Sequence, residues 1–258
     1  MSPLQILTAV LLSFALFLFP HDSIADDLAS HKDTLQGMVL IPAGKFTRGC
    51  DRFGVQHGAP EHIVFLDSFM IDRHEVTNAD FERVFPEHNL RRSIFSKCDL
   101  CAASKVSWYE AADYCHLVGK SLPSEAQWEK AAGGKNGCEF PWGAEFDTQN
   151  PQGRGGLKLR DESAPVESFP PNKYGIFDMG GNMWEWVSDW YHDYPVTQDI
   201  VYNPRGPSYG VMKVRRGGAW SDSIKAMAVG YRDWSYPFSR GFNDIGFRCA
   251  INLAPVAQ

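Results

Sequence analysis

The chain has 258 residues, 44% hydrophobic and 22% charged, with a formal net charge of -6 at pH 7. These fractions exclude a disordered chain and a multispanning membrane protein, and 25 basic against 31 acidic residues leave no basic face for a nucleic-acid partner. Eight Trp, 23 Gly and 16 Pro exclude a long helical bundle and point to a loop-rich fold pinned by aromatics.

Ile6 to Phe19 is an uncharged apolar run, too short to span a bilayer comfortably. Ser23-Ile24-Ala25 follows it, with small residues at the -3 and -1 positions of a cleavage site. The pattern predicts a signal peptide over residues 1–25, although Met1–Gln5 carries no Lys or Arg. The mature chain is then periplasmic or secreted, with no stable membrane insertion after cleavage. Residues 26–36 read as a flexible polar lead, 37–252 as a single domain and 253–258 as a C-terminal tail.

Met38–Ile41 before Pro42-Ala43-Gly44, His62–Leu66 and Phe69–Ile71 read as strands. Thr77–Val84 reads as a short helix capped near Thr77. Ser107-Trp108-Tyr109-Glu110 is a capping box, in which serine and glutamate each satisfy the other's backbone donor. Trp108, Ala111, Ala112, Cys115 and Val118 then share one helix face and Gly119 stops it. Ser124 to Gln127 repeats the device, with Trp128, Ala131 and Ala132 apolar and Gly133-Gly134 terminating. Gly134 to Pro170 is mostly loop, and strands return at Val211–Arg215 and Gly246–Ile251.

Six cysteines remain after the signal: Cys50, Cys98, Cys101, Cys115, Cys138 and Cys249. Six allow ~15 pairings, which the sequence does not choose among. Cys98-x-x-Cys101 invites a zinc or redox reading, but a closed zinc site needs a second pair of ligands. The even count in an exported chain favours three disulfides.

The densest segment runs from Asn172 to Trp186, where Asp178 and Glu185 flank Gly180-Gly181. Two carboxylates and inward-turned carbonyls suit Ca²⁺, a hard ion that takes oxygen ligands. The structural alternative makes Asp178 a turn cap and Glu185 the buried partner of an arginine.

Several motifs now occur in a fixed order: Met38–Phe46, Asp72–Asn78, Val106-Ser107-Trp108, Gly119–Glu129 and Pro141-Trp142-Gly143, then Gly181–Trp186, Arg216–Trp220 and Gly246-Phe247-Arg248. Together they resemble the formylglycine-generating-enzyme (sulfatase-modifying factor) family over about residues 37–252. The resemblance implies a single α+β domain, a variant of the C-type lectin fold with little regular secondary structure. It implies a Cys115–Cys249 disulfide; the remaining cysteines are assigned Cys98 with Cys101 and Cys50 with Cys138. It also implies a structural calcium held by Asp178, the carbonyls of Gly181 and Met183, and Glu185, with Asp178 where an amide can stand. A second site would use Asn150, with Asp161 in a shortened loop.

The departure from the family bears on function. The resemblance places the two Cu(I)-binding thiolates at Asp222 and Met227, and an active serine at Ala219. A soft ion selects soft ligands, so copper and formylglycine generation are not expected. His62, His74 and His116 lack the spacing of an iron site. What remains is the family's groove, expected at Trp184, Trp220, Ser221, Asp222, Arg232 and Trp234, for an extended peptide or small molecule. Two functions stand: a calcium-stabilised exported binding or accessory protein, and an oxidoreductase of different chemistry acting on a protein or siderophore-like substrate.

Overall fold

The computed structural model describes residues 35–51, 57–133, 137–143, 162–240 and 242–253. The signal segment, Asn150 and Asp161 lie outside them. Among the described residues no helix is long and apolar enough to cross a membrane.

The strands are β1 (Met38–Ile41), β2 (Gly44–Arg48), β3 (His62–Leu66) and β4 (Phe69–Asp72), then β5 (Trp184–Trp190) and β6 (Val201–Tyr202). They continue with β7 (Lys213–Arg216), β8 (Arg232–Ser235), β9 (Ile245–Phe247) and β10 (Ala250–Asn252). The helices are α1 (Asn78–Val84), α2 (Trp108–Leu117) and α3 (Glu125–Ala132). Thr77 caps α1, its side chain accepting from the Asp80 amide. Both capping boxes close: Ser107 with Glu110 starts α2, and Ser124 with Gln127 starts α3. Gly133 ends α3 at φ 89, a left-handed cap that a Cβ would disfavour.

Among the described residues three sheets form, in the orders β1-β4-β10, β2-β3-β6 and β8-β7-β5-β9. The segment expected to be one strand over Gly246–Ile251 is two. Ile245–Phe247 pairs parallel with β5, whereas Ala250–Asn252 pairs antiparallel with β4 in another sheet. The chain changes sheets at Arg248 and Cys249, because the Arg248 guanidinium is anchored to Glu185 and Cys249 to helix α2. The strand expected over Val211–Arg215 runs Lys213–Arg216. Strands β2, β5, β6 and β8 had no sequence expectation.

The four-stranded sheet divides the interior. Register places Trp184, Trp186, Ile245 and Phe247 on one face, packed with Phe81 of α1 and with Tyr114 and Cys115 of α2. Val187 and Val214 look the other way, toward Trp128, Ala131 and Ala132 of α3 and the apolar residues of β1, β3 and β4. The indoles of Trp128 and Trp186 are fully buried. At ~200 Å² each and ~25 cal/mol per Å², each contributes about 5 kcal/mol of transfer free energy. The disulfides are Cys50–Cys138, Cys98–Cys101 and Cys115–Cys249, which leaves no free cysteine.

Candidate functional site

Asp178 sits at φ 60 and Gly181 at φ 100, a left-handed path that coils this segment before β5 begins. The coil brings Asp178 and Glu185 to a third carboxylate, Glu75, and all three are buried. Glu75 accepts from Asn182 Nδ2 at 2.6 Å and from the Met183 amide at 3.1 Å. Burial, then the charges of Asp178 and Glu185, push the Glu75 carboxyl well above the usual carboxylate range. Burial likewise pushes Asp178 up to about 6, against a bond from the Glu167 amide at 2.9 Å that favours its ionised form.

The cation within this cluster is Arg248, which grips Glu185 through Nε and Nη2 at 2.7 Å each. Trp128 Nε1 also donates to Glu185, at 2.9 Å. The structural alternative for Glu185 is therefore realised: it is an arginine's buried partner. A carboxylate offers about four lone-pair positions, and these bonds occupy three. Among the described residues the three buried carboxylates share the Arg248 guanidinium, and burial favours the protonated forms of Glu75 and Asp178. The donors are hard oxygens, the kind that Ca²⁺ takes, but among the described residues the three carboxylates do not draw together as a ready metal site. Sequence reasoning missed Glu75, although it lies inside the Asp72–Asn78 motif.

The six expected groove residues do not share one surface. Trp184, Trp220 and Asp222 come together. The Trp184 indole bonds the Asp222 carboxylate, which also takes the Ala219 amide at 3.0 Å; burial, the larger effect, still raises the Asp222 carboxyl. The Arg215 guanidinium lies over the Trp184 ring at 4.6 Å and pairs Asp233 at 2.6 Å. Phe95 packs on Trp220 at 5.1 Å, and exposed Ser221 donates to Asp244 at 3.0 Å. Trp184 and Trp220 are buried, so they floor this surface; Tyr231, Arg215 and Phe242 line it beside them. Phe95, Arg215 and Phe242 carried no local signal in the sequence.

Arg232 and Trp234 point to the opposite side. They are two apart on β8 and share a face, while Asp233 pairs in register with Arg215 on the Trp184 side. Arg232 is buried against Glu125 of α3, with Nε at 2.5 Å from Oε1 and Nη2 at 2.9 Å from Oε2. Trp234 packs on Tyr191 at 4.2 Å and on His57 at 4.6 Å. Glu125 also receives Arg48 and Arg216 at 2.7 Å each, and these cations hold its carboxyl far below the usual range despite burial. Arg232 is thus a structural residue, like Arg216, which pairs Glu125 and Glu129 at 2.7 Å each.

The Arg-Gly-Gly turn links the two sides. Gly217 and Gly218 lie at φ 95 and 70, and a Cβ on Gly217 would stand 3.1 Å from the Trp128 ring. The Gly217 carbonyl accepts from the Gly181 amide at 2.9 Å, and the Asn182 carbonyl from the Trp220 amide at 3.0 Å. The carboxylate coil is thereby tied to the floor of the aromatic surface.

This coil, the split sheet and the turn over Trp128 define the sulfatase-modifying-factor variant of the C-type lectin fold. The chain belongs to that family: the model for the sulfatase-modifying factor enzyme 1-like domain matches residues 25–253. It is 31% identical to the formylglycine-generating enzyme of Mus musculus, over 87% of this chain and 77% of that protein. The enzyme of Thermomonospora curvata is 30% identical over 86% and 96%. A protein of Chlamydia caviae named serine/threonine-protein kinase pkn1 is 34% identical over 83% of this chain, which spans only 37% of that protein. Among solved structures, Treponema denticola variable protein 1 superposes with a TM-score of 0.71 at 24% identity, covering 83% of this chain and 94% of that one. PvdO from Pseudomonas aeruginosa gives 0.66 at 26%, covering 84% and 94%.

Proposed function

We propose that the chain is an exported, calcium-stabilised binding or accessory protein on the sulfatase-modifying-factor scaffold, and not a formylglycine generator. The observation that carries this reading is the thiol inventory: all six cysteines are bridged. At the two positions where family resemblance puts the Cu(I) ligands stand Asp222, with hard oxygens bonded to Ala219 and Trp184, and Met227, which is fully buried. That donor set does not fit Cu(I). Around it the aromatic and polar groups persist, a mixture suited to an extended peptide or a small molecule. Three disulfides support an oxidising compartment, periplasmic or extracellular. The buried hard oxygens of Asp178 and Glu185 beside Glu75 support Ca²⁺.

The decisive experiment supplies the purified protein with Cu(I) and a cysteine-containing sulfatase peptide, and follows oxygen uptake and peptide mass. No turnover is expected; conversion of the cysteine overturns the reading. The second reading is an oxidoreductase of different chemistry, maturing a protein or siderophore-like substrate. Ser221 and Asp222 beside aromatics favour it, but Arg232, buried against Glu125, is not available to it. Metal analysis separates the two: stoichiometric iron or copper supports the oxidoreductase, calcium alone the binding protein.

A further inference from the structure

The three disulfides differ in a way that their common role as staples does not explain. Cys115 and Cys249 are fully buried and lie 134 residues apart; Cys50, also buried, is 88 residues from Cys138. Cross-links closing such long loops remove much unfolded-chain entropy. Cys98 and Cys101 are 3 residues apart, so their bridge removes the least.

That bridge is also the one least needed to hold its own surroundings. The Cys101 amide donates to the Cys98 carbonyl at 3.1 Å, and the Asn78 and Ala79 amides of α1 donate to the carbonyls of Cys101 and Asp99 at 2.8 and 3.0 Å. Asn78 Nδ2 reaches the carbonyls of Ser96 and Cys98, each at 2.9 Å, and the Val166 amide reaches Leu100 at 2.9 Å. These bonds shape the turn and none passes through sulfur.

Exposure within the pair is asymmetric. Cys98 is exposed, whereas Cys101 is buried beneath the turn. Arg92 donates to the Lys97 carbonyl at 2.6 Å and pairs both Asp99 at 2.9 Å and Glu82 at 2.6 Å, bracing the chain on both sides of Cys98. Exposed bridges are the exchangeable ones.

We propose that Cys98–Cys101 is a thiol–disulfide exchange site, open to thiol reductants while the other two bridges stay closed. A thiolate attacks Cys98 Sγ; the new bond makes a mixed disulfide and the Cys101 sulfur leaves with the electron pair. A second thiol attacks the mixed disulfide, departs as part of an oxidised disulfide, and leaves Cys98. The pair gains two electrons and takes up the two protons of the thiols, which are oxidised. The same chemistry suits a small thiol or a protein dithiol.

The test treats the native full chain with reduced glutathione in one arm and a thioredoxin-type dithiol protein in the other, then alkylates and maps the labelled cysteines. Expected is labelling of Cys98 and Cys101 with the other four unlabelled and the far-ultraviolet circular dichroism unchanged. Labelling in one arm alone identifies the source of the thiol. No labelling in either arm, or labelling only together with the other four, overturns the proposal. In single variants incubated with oxidised glutathione, Cys101→Ser is expected to gain a mixed disulfide and Cys98→Ser not; equal reactivity overturns the asymmetry. A Cys98→Ser/Cys101→Ser variant is expected to keep its melting temperature nearly unchanged. Failure of that variant to fold also overturns the proposal, since a pair that folding cannot spare is not free to open.

Discussion

The guanidinium of Arg248 meets the carboxylate of Glu185 edge to edge, Nε to Oε2 and Nη2 to Oε1 at 2.7 Å each, with both side chains sealed from solvent. Arg248 also donates to the carbonyls of Asp72 and Phe177, at 3.1 and 2.9 Å, so one side chain joins β4, the carboxylate coil and β5. Removing Glu185 leaves the buried donors of Arg248 and Trp128 without the acceptor that their geometry is built around. Glu185→Ala is expected to cost about 3–5 kcal/mol, read as a lower urea midpoint. A loss under about 1 kcal/mol would show that the pair is not the clasp its geometry indicates.

The proposed calcium, held by Asp178, Glu185 and the carbonyls of Gly181 and Met183 beside Glu75, predicts a chelator-sensitive melting temperature. An ion bound only by the folded state, at a hundredfold excess over its Kd, stabilises by about 2.7 kcal/mol. Excess chelator is expected to lower the Tm, added Ca²⁺ to restore it, and Asp178→Ala to abolish the response. An unchanged Tm in chelator would refute the site.

His88 supplies an acid-side pH dependence. The ring is fully buried, edge-on to Phe81 at 4.9 Å, and burial, helped by the Arg91 charge, pushes its pKa down to about 4. Between that value and the unfolded one, near 6.5, the unfolded chain binds a proton that the folded chain refuses. Stability contributed by neutral His88 is present above about pH 6.5 and is lost as pH falls toward about 4. About 2 kcal/mol should disappear between about pH 7 and pH 5. In His88→Leu that share of the pH dependence should be missing from urea titrations at the two values; identical slopes in both proteins would disprove its origin in His88.

Gly137 marks a backbone-to-backbone contact beside the Cys50–Cys138 bridge. Its amide donates to the Gly49 carbonyl at 3.1 Å, and its carbonyl accepts from the Gly230 amide at 2.6 Å. A Cβ on Gly137 would stand 2.4 Å from the Gly49 oxygen, and one on Gly230 2.7 Å from the Gly137 oxygen. Gly137→Ala is therefore expected to destabilise by about 1–3 kcal/mol through overpacking, seen as a drop in Tm. A neutral result would mean that the three strands of backbone can separate at no cost.

Local chemistry made part of this molecule legible. The Ser107/Glu110 and Ser124/Gln127 boxes join residues three apart, and both helices begin where those pairs predict. Family order supplied Cys115–Cys249, which the structure pairs, because Cys115 faces inward from α2. Strand β5 was harder to see. Its Trp-Glu-Trp-Val-Ser-Asp-Trp run is buried on both sides, so it lacks the alternation that marks a half-exposed strand. Glu75 is, locally, a single acid inside the Asp72–Asn78 motif, and only folding brings it, from 107 residues away, within 2.6 Å of Asn182.

By itself the sequence determined the helix starts and the family, since each depends on residue identity or on neighbours within one turn. The tertiary structure alone decided that Trp184 and Asp222 face one side of the sheet while Arg232 and Trp234 face the other. In a strand, the side on which a residue lands follows from pairing register with distant segments. A shift of one residue would exchange the two faces, and nothing local to Arg232 records that register.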